Sequence, residues 1–135
     1  MSRIGIKTWG HGLLLAAGMW LGTAPAQPRW DQVLTDAQGV YYIDGRSVQT
    51  KGQLRTFLSL RDYLEPQATY DGLAYLSALA KIEIDCKSNE AIVLEMSYYT
   101  GRMLGGQKAL RESNFHTAKP IEKNAPIQRF AQRVC

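Results

Sequence analysis

The sequence predicts an α+β domain, in which an antiparallel sheet of five or six strands forms a meander with one C-terminal helix packed on one face and tied there by a disulfide. Three observations carry that expectation. Residues 75–86 alternate apolar and polar almost without fault, which is strand periodicity. Residues 127–134 switch to helical spacing. Cys86 and Cys135 are the only cysteines, one ending that strand and the other ending that helix.

The chain begins with a segment that reads as removable. Arg3 and Lys7 supply positive charge, Leu13 to Leu21 is a short apolar run, and Ala24-Pro25-Ala26 offers small residues at a cleavage site. The run is half of what a membrane span needs. Residues 1–26 are therefore expected to be a signal peptide and residues 27–135 a single working domain, exported to the periplasm, the medium or the cell surface. No cysteine directly follows the apolar run, so a released product without a stable membrane anchor is expected. Loss of Arg3 and Lys7 leaves 14 basic and 12 acidic residues, a net charge of +2 instead of the +4 of the whole chain. That balance gives no reason to expect nucleic-acid binding.

The elements follow in order. Trp30 to Leu34 is a first strand, and Asp36-Ala37-Gln38-Gly39 is a turn. Val40 to Ile43 is β-branched and aromatic, and Asp44-Gly45 is expected to break it. Ser47 to Thr50 is a short edge segment, closed by the turn at Lys51-Gly52. Gln53 to Tyr63 is a longer strand, with Leu54, Thr56, Leu58 and Leu60 on one face and Arg55, Phe57, Ser59 and Arg61 on the other. Pro66 and Asp71-Gly72 mark residues 64–72 as a loop. In the strand from Tyr75, Leu76, Ala78, Ala80, Ile82, Ile84 and Cys86 share the apolar face.

A hairpin turn at residues 87–90 leads to a return strand, Ala91 to Tyr99, with Ile92, Leu94, Met96 and Tyr98 expected inward. Gly101, Gly105 and Gly106 mark a connection, and Lys108 to Phe115 is the last strand, with weaker patterning. Ile127, Phe130, Ala131 and Val134 then form a helical stripe, with Asn124 as the expected N-cap and Pro126 in the first turn. A helix of about ten residues does not persist alone in water, so it must pack.

An even cysteine count in an exported small domain reads as a disulfide. A metal site would need more ligands close by, and a redox pair would need C-x-x-C. The Cys86–Cys135 bond would pin the helix across the apolar face of the sheet.

Catalysis finds no foothold, and no cofactor or metal site is expected. One histidine, His116, remains after residue 26, and it falls in a loop. Glu83 and Asp85 sit two apart on a polar strand face, and with Asp62 they read as solvated carboxylates more than as a glycosidase pair. The glycines at 101–106 lack the G-K-[ST] of a phosphate loop. The seven tyrosines are more suggestive. Tyr41-Tyr42 and Tyr98-Tyr99 each place one ring on either face. With Arg55, Phe57, Arg61 and Tyr63, these four tyrosines are the candidate binding surface, since Tyr and Arg are enriched in interface hot spots. Cross-strand pairing within the sheet is the competing role for the same rings.

The chain resembles the surface-adhesin protein E family of small exported bacterial proteins. The resemblance is carried by Trp30, by Tyr41-Tyr42-Ile43-Asp44 followed by Ser47-Val48, and by Leu60-Arg61-Asp62-Tyr63. Tyr75-Leu76-Ser77, Glu83-Ile84-Asp85-Cys86 and Val134-Cys135 complete it, over nearly all of residues 30–135. It implies a bent antiparallel sheet with a C-terminal helix disulfide-tied to the concave face. It also implies a non-enzymatic adhesin that binds host matrix or serum proteins such as vitronectin and laminin. Phe115 stands where the family usually has tryptophan, and the family's lipid-anchor cysteine is absent. The second expectation is accordingly a soluble periplasmic accessory or inhibitor protein acting on an envelope partner. A homodimer through a sheet edge is compatible with either.

Overall fold

The computed structural model describes residues 28–113 and 117–135, together with Gly5, Gly10, Gly12 and residues 16–22. Most of the expected signal segment, its cleavage site, Phe115 and His116 lie outside the described residues. Among the described residues, no helix is long and apolar enough to cross a membrane.

Six strands run in sequence order as neighbours: β1 Trp30–Asp36, β2 Gly39–Lys51, β3 Leu54–Ala68, β4 Ala74–Asp85, β5 Glu90–Tyr99 and β6 Lys108–Glu112. All are antiparallel to their neighbours, and a two-residue β7, Lys119–Pro120, pairs with β5. One helix, α1 Pro126–Val134, follows. Six to seven strands against one nine-residue helix make this a sheet with an appended helix rather than a balanced α+β fold.

The turns form for local reasons. Asp36 accepts the backbone N–H groups of Gln38 and Gly39, at 2.8 and 3.0 Å, which fixes the β1–β2 turn. Asp85 does the same for Lys87 and Ser88, and Asn89 adopts a left-handed φ of 58°. Gly52 turns the chain between β2 and β3 at a φ of 58°.

Several expected boundaries move, and bulges are the reason. Asp44-Gly45 does not break β2; the register slips between Asp44 and Gln49, and the strand continues as a bulge. Asp44 is buried there, its carboxylate accepting the Arg46 N–H at 3.0 Å. Ser47 Oγ donates to the Asp44 carbonyl and accepts the Leu58 N–H, so a side chain replaces the interrupted ladder. Pro66 does not end β3; it lies in the slip between Asp62 and Gln67, where no ladder N–H is required of it. A further slip on β5, between Val93 and Glu95, leaves Leu94 as the extra residue. Ala91 and Val93 pack inward before it and Met96 after it, so the inward placing of Ile92 and Leu94 is corrected.

The core lies between α1 and one face of the sheet. Ile43, Phe57, Ala80, Ile82, Ile84, Ile121 and Phe130 form its buried centre. The Phe130 ring stacks on Phe57 at 5.5 Å and meets Tyr41 edge-on at 6.2 Å. The Cys86–Cys135 disulfide is present, with Cα atoms 5.7 Å apart, and closes a loop of 49 residues. Arg133 reaches Asp31 of β1 at 3.5 Å.

The helix start differs from expectation. Ala125 is the N-cap residue, without a side-chain bond, and Pro126 opens the helix. Asn124 is displaced from the cap into a left-handed turn with φ of 68°, and its N–H donates to Gln128 Oε1 at 2.8 Å.

The opposite face has its own cover. Residues 102–104 form a short 3₁₀ turn over β3 and β4. Asp62, almost fully buried, accepts the Arg102 guanidinium at 2.7 Å and the Met103 N–H at 2.7 Å. Ser77, also buried, accepts the Leu104 N–H at 2.9 Å and donates to the Gly101 carbonyl. Met103 and Leu104 both have positive φ, at 50° and 62°, and these bonds hold them there.

Candidate functional site

The candidate site is built where α1 stops covering the sheet. Phe57, Ile82, Ile84 and Cys86 lie under the helix, but the sheet continues beyond them toward the β3–β4 hairpin. Strand alternation brings Ser59, Arg61 and Tyr63 of β3 to the helix side, opposite Ala80 and Ala78 of β4. Tyr41 lies directly across from Arg61 on β2.

Arg61 organises one wall. Its guanidinium lies 4.0 Å from the Tyr41 ring centroid and 4.8 Å from that of Tyr63, a cation held between two π faces. It also pairs with the Asp36 carboxylate at 3.1 Å and donates to Gln38 Oε1 at 3.0 Å. Burial works against the Asp36 charge. The Gln38 N–H, the Arg61 charge and the Gly39 N–H outweigh it and hold the carboxyl below its ordinary range. Arg61 Nε is a buried donor with no acceptor among the described residues.

A row of rings continues from that wall. Tyr63 meets Tyr75 edge-on at 5.6 Å, and Tyr75 meets Tyr98 at 4.7 Å. The Tyr98 hydroxyl lies 2.9 Å from Met96 Sδ and 3.3 Å from Glu112 Oε2. Burial, reinforced by the Glu112 charge, pushes the Tyr98 phenol up to about 12. Burial, with Tyr75 beside it, pushes Tyr63 up to about 12 against the opposing pull of Arg61. Both phenols stay neutral throughout the ordinary pH range.

Between these walls and α1 lies an open groove of about 360 Å³. Its floor is small and buried, made by Ser59, Ala78 and Ala80. Val93 and Met96 close the side toward β5, and Pro126, Ile127 and Phe130 close the side toward the helix. The volume falls in the range of about 300–1,000 Å³ typical of ligand sites. It offers aromatic faces, the hydroxyl of Ser59, a thioether, aliphatic surface and a charge already neutralised.

The sequence-predicted residues are divided by the fold. Tyr41, Arg61, Tyr63 and Tyr98 come together along the groove and its ring row. Tyr42 and Tyr99 take the other side of their strands, Tyr99 near Lys108 Nζ at 5.9 Å. Phe57, with 1% of its surface exposed, is core and offers a partner nothing. Arg55 serves the helix: its Nε donates to the Val134 carbonyl at 3.1 Å and its Nη1 to the Gly52 carbonyl at 2.7 Å. Of the eight expected surface residues, the fold thus brings Tyr41, Arg61, Tyr63 and Tyr98 to one side, turns Tyr42 and Tyr99 to the other, and commits Phe57 to the core and Arg55 to the helix end.

Met96, Tyr75 and the small floor are absent from the candidate surface read from sequence, although the sequence places Met96 inward and Ala78 and Ala80 on the apolar face of their strand. The signal was present in the register, because Ala80 pairs with both Ser59 and Met96 and Ala78 with both Arg61 and Tyr98. Small residues thus stand side by side on β3 and β4, flanked by Met96 and Tyr98 on β5, which becomes visible only once the pairing is known. The carboxylates weighed for catalysis are occupied otherwise. Asp62 anchors Arg102, Asp85 caps its turn, and Glu83 lies 3.5 Å from Thr56 Oγ1.

The family model described as surface-adhesin protein E matches residues 30–135. No curated protein matches the chain. The fold is similar to crystal structures of Haemophilus influenzae protein E. One matches with a TM-score of 0.62 at 15% identity, over 84% of this chain and 89% of that one. A second crystal form matches with a TM-score of 0.64 at 16% identity, over 82% and 91%. The protein E structure from non-typeable Haemophilus influenzae matches with a TM-score of 0.59 at 15% identity, over 80% and 77%.

Proposed function

From the premise that this chain belongs to the surface-adhesin protein E family, we propose that it is an exported, non-enzymatic binding protein that engages a host matrix or serum protein. The observation that carries this reading is the family match over the whole folded domain, residues 30–135. The site adds support. A groove bordered by tyrosines, an arginine and a methionine has the composition of protein-recognition surfaces. Its rings are held by cross-strand packing, so little order is lost on binding.

On this reading residues 1–26 are removed after Ala26, and the disulfide forms once the chain reaches an oxidising compartment. The purified exported product should bind immobilised vitronectin or laminin saturably, and antibody should label intact cells. Binding to neither protein would overturn the adhesive reading. A product found only in the periplasm, captured there with an envelope protein, would replace it with the accessory role.

A further inference from the structure

The groove is where the sheet is least filled. On two neighbouring strands, β3 and β4, its inward positions carry Ser59, Ala78 and Ala80, although larger side chains at those sites would close the space between the sheet and α1. The neighbouring stretch under α1 shows the alternative, for there Phe57, Ile82 and Ile84 are buried in the core against Phe130. Small residues thus leave a concave apolar surface open to solvent beside a finished one.

Its electrostatics limit what can enter. Among the described residues, Arg61 is the only charged one lining the space, and its charge is met by Asp36 and by two ring faces. An incoming carboxylate would face Asp36 across the same guanidinium, and an incoming ammonium would face Arg61 itself. An uncharged group meets neither penalty. Arg61 is also incompletely satisfied, because its Nε–H has no acceptor among the described residues. That donor is buried, so an incoming neutral carbonyl reaches it only when the guanidinium turns toward the groove.

We propose that the groove receives one uncharged apolar or aromatic side chain of a partner polypeptide, with the adjoining backbone carbonyl of that polypeptide accepting a hydrogen bond from Arg61. A polypeptide supplies both parts in fixed relation, an apolar side chain and a neutral carbonyl a few bonds away. The proposal rests on the protein-binding function argued above and names the chemistry of the contact.

The test uses the purified exported protein and N-acetyl-tryptophanamide, a neutral stand-in for the anchor. Titration should shift the methyl resonances of Ala78, Ala80 and Met96. N-acetyl-tryptophan, which carries a carboxylate, should bind at least tenfold more weakly. No shift at saturation, shifts centred elsewhere, or equal binding of the two probes would overturn the proposal. Ala80→Leu, which fills the floor, should abolish the titration and weaken binding to vitronectin or laminin at least tenfold. Because that variant is overpacked, saturating N-acetyl-tryptophanamide should also compete with the same host protein on the wild type. Host-protein binding that neither the variant nor the probe disturbs would overturn the groove while leaving the adhesive function standing. Probe binding without host-protein binding would overturn the polypeptide occupant. A dimer that the probe dissociates in sedimentation would also overturn it, by making the occupant a second copy of the chain.

Discussion

At the scale of the residue, neighbours decide what each side chain contributes. Phe57 and Arg61 share a strand face, yet one is sealed beneath Phe130 and the other borders open space. Their alternation was legible in the sequence; the point at which the helix stops was not. Gly39 shows the same dependence on a neighbour. A Cβ there would press against the Asp62 carbonyl oxygen, with the Asp62 carbonyl carbon and Tyr63 Cα only 3.0 Å away. Gly39→Ala should therefore destabilise by roughly 1–3 kcal/mol in urea unfolding, because backbone has to move. A change within about 0.5 kcal/mol would show that β2 and β3 adjust freely at that turn.

At the scale of the element, α1 is the dependent part. Its stripe of Ile127, Phe130, Ala131 and Val134 was readable from spacing, because a period of 3.6 needs no tertiary information. The strand β5 was less legible, because one extra residue at Leu94 inverts the alternation and no local rule marks it. Phe130→Ala removes the ring that touches both Phe57 and Tyr41, and should cost about 3–5 kcal/mol by chemical denaturation. A loss under about 1 kcal/mol would mean that α1 is held without it. Cys135→Ser opens a loop of 49 residues, and the chain-entropy relation gives a loss of about 4 kcal/mol. A melting temperature unmoved by the substitution would contradict the staple.

At the scale of the whole molecule, the two faces of the sheet are secured differently, one by a helix and a covalent bond, the other by Asp62 and Ser77 gripping residues 101–104. The glycines flanking that second cover were read only as a connection, since nothing local shows that it folds back over the sheet. Global stability should carry the signature of the two buried phenols. Tyr63 and Tyr98 ionise at about 12 in the folded state, against about 10 when unfolded. Their raised values add stability that is complete below about pH 10 and is lost as pH climbs to about 12. Urea midpoints measured from pH 9 to 12 should fall across that window, and Tyr63→Phe with Tyr98→Phe should flatten the fall. A flat wild-type profile would mean that both phenols are hydrated. The meander itself bears on kinetics. Every main strand pairs with its sequence neighbour, so hairpins can zip on one after another as the chain emerges. Seating the helix instead waits for a distant segment to diffuse back, which makes it the late, slow event of folding.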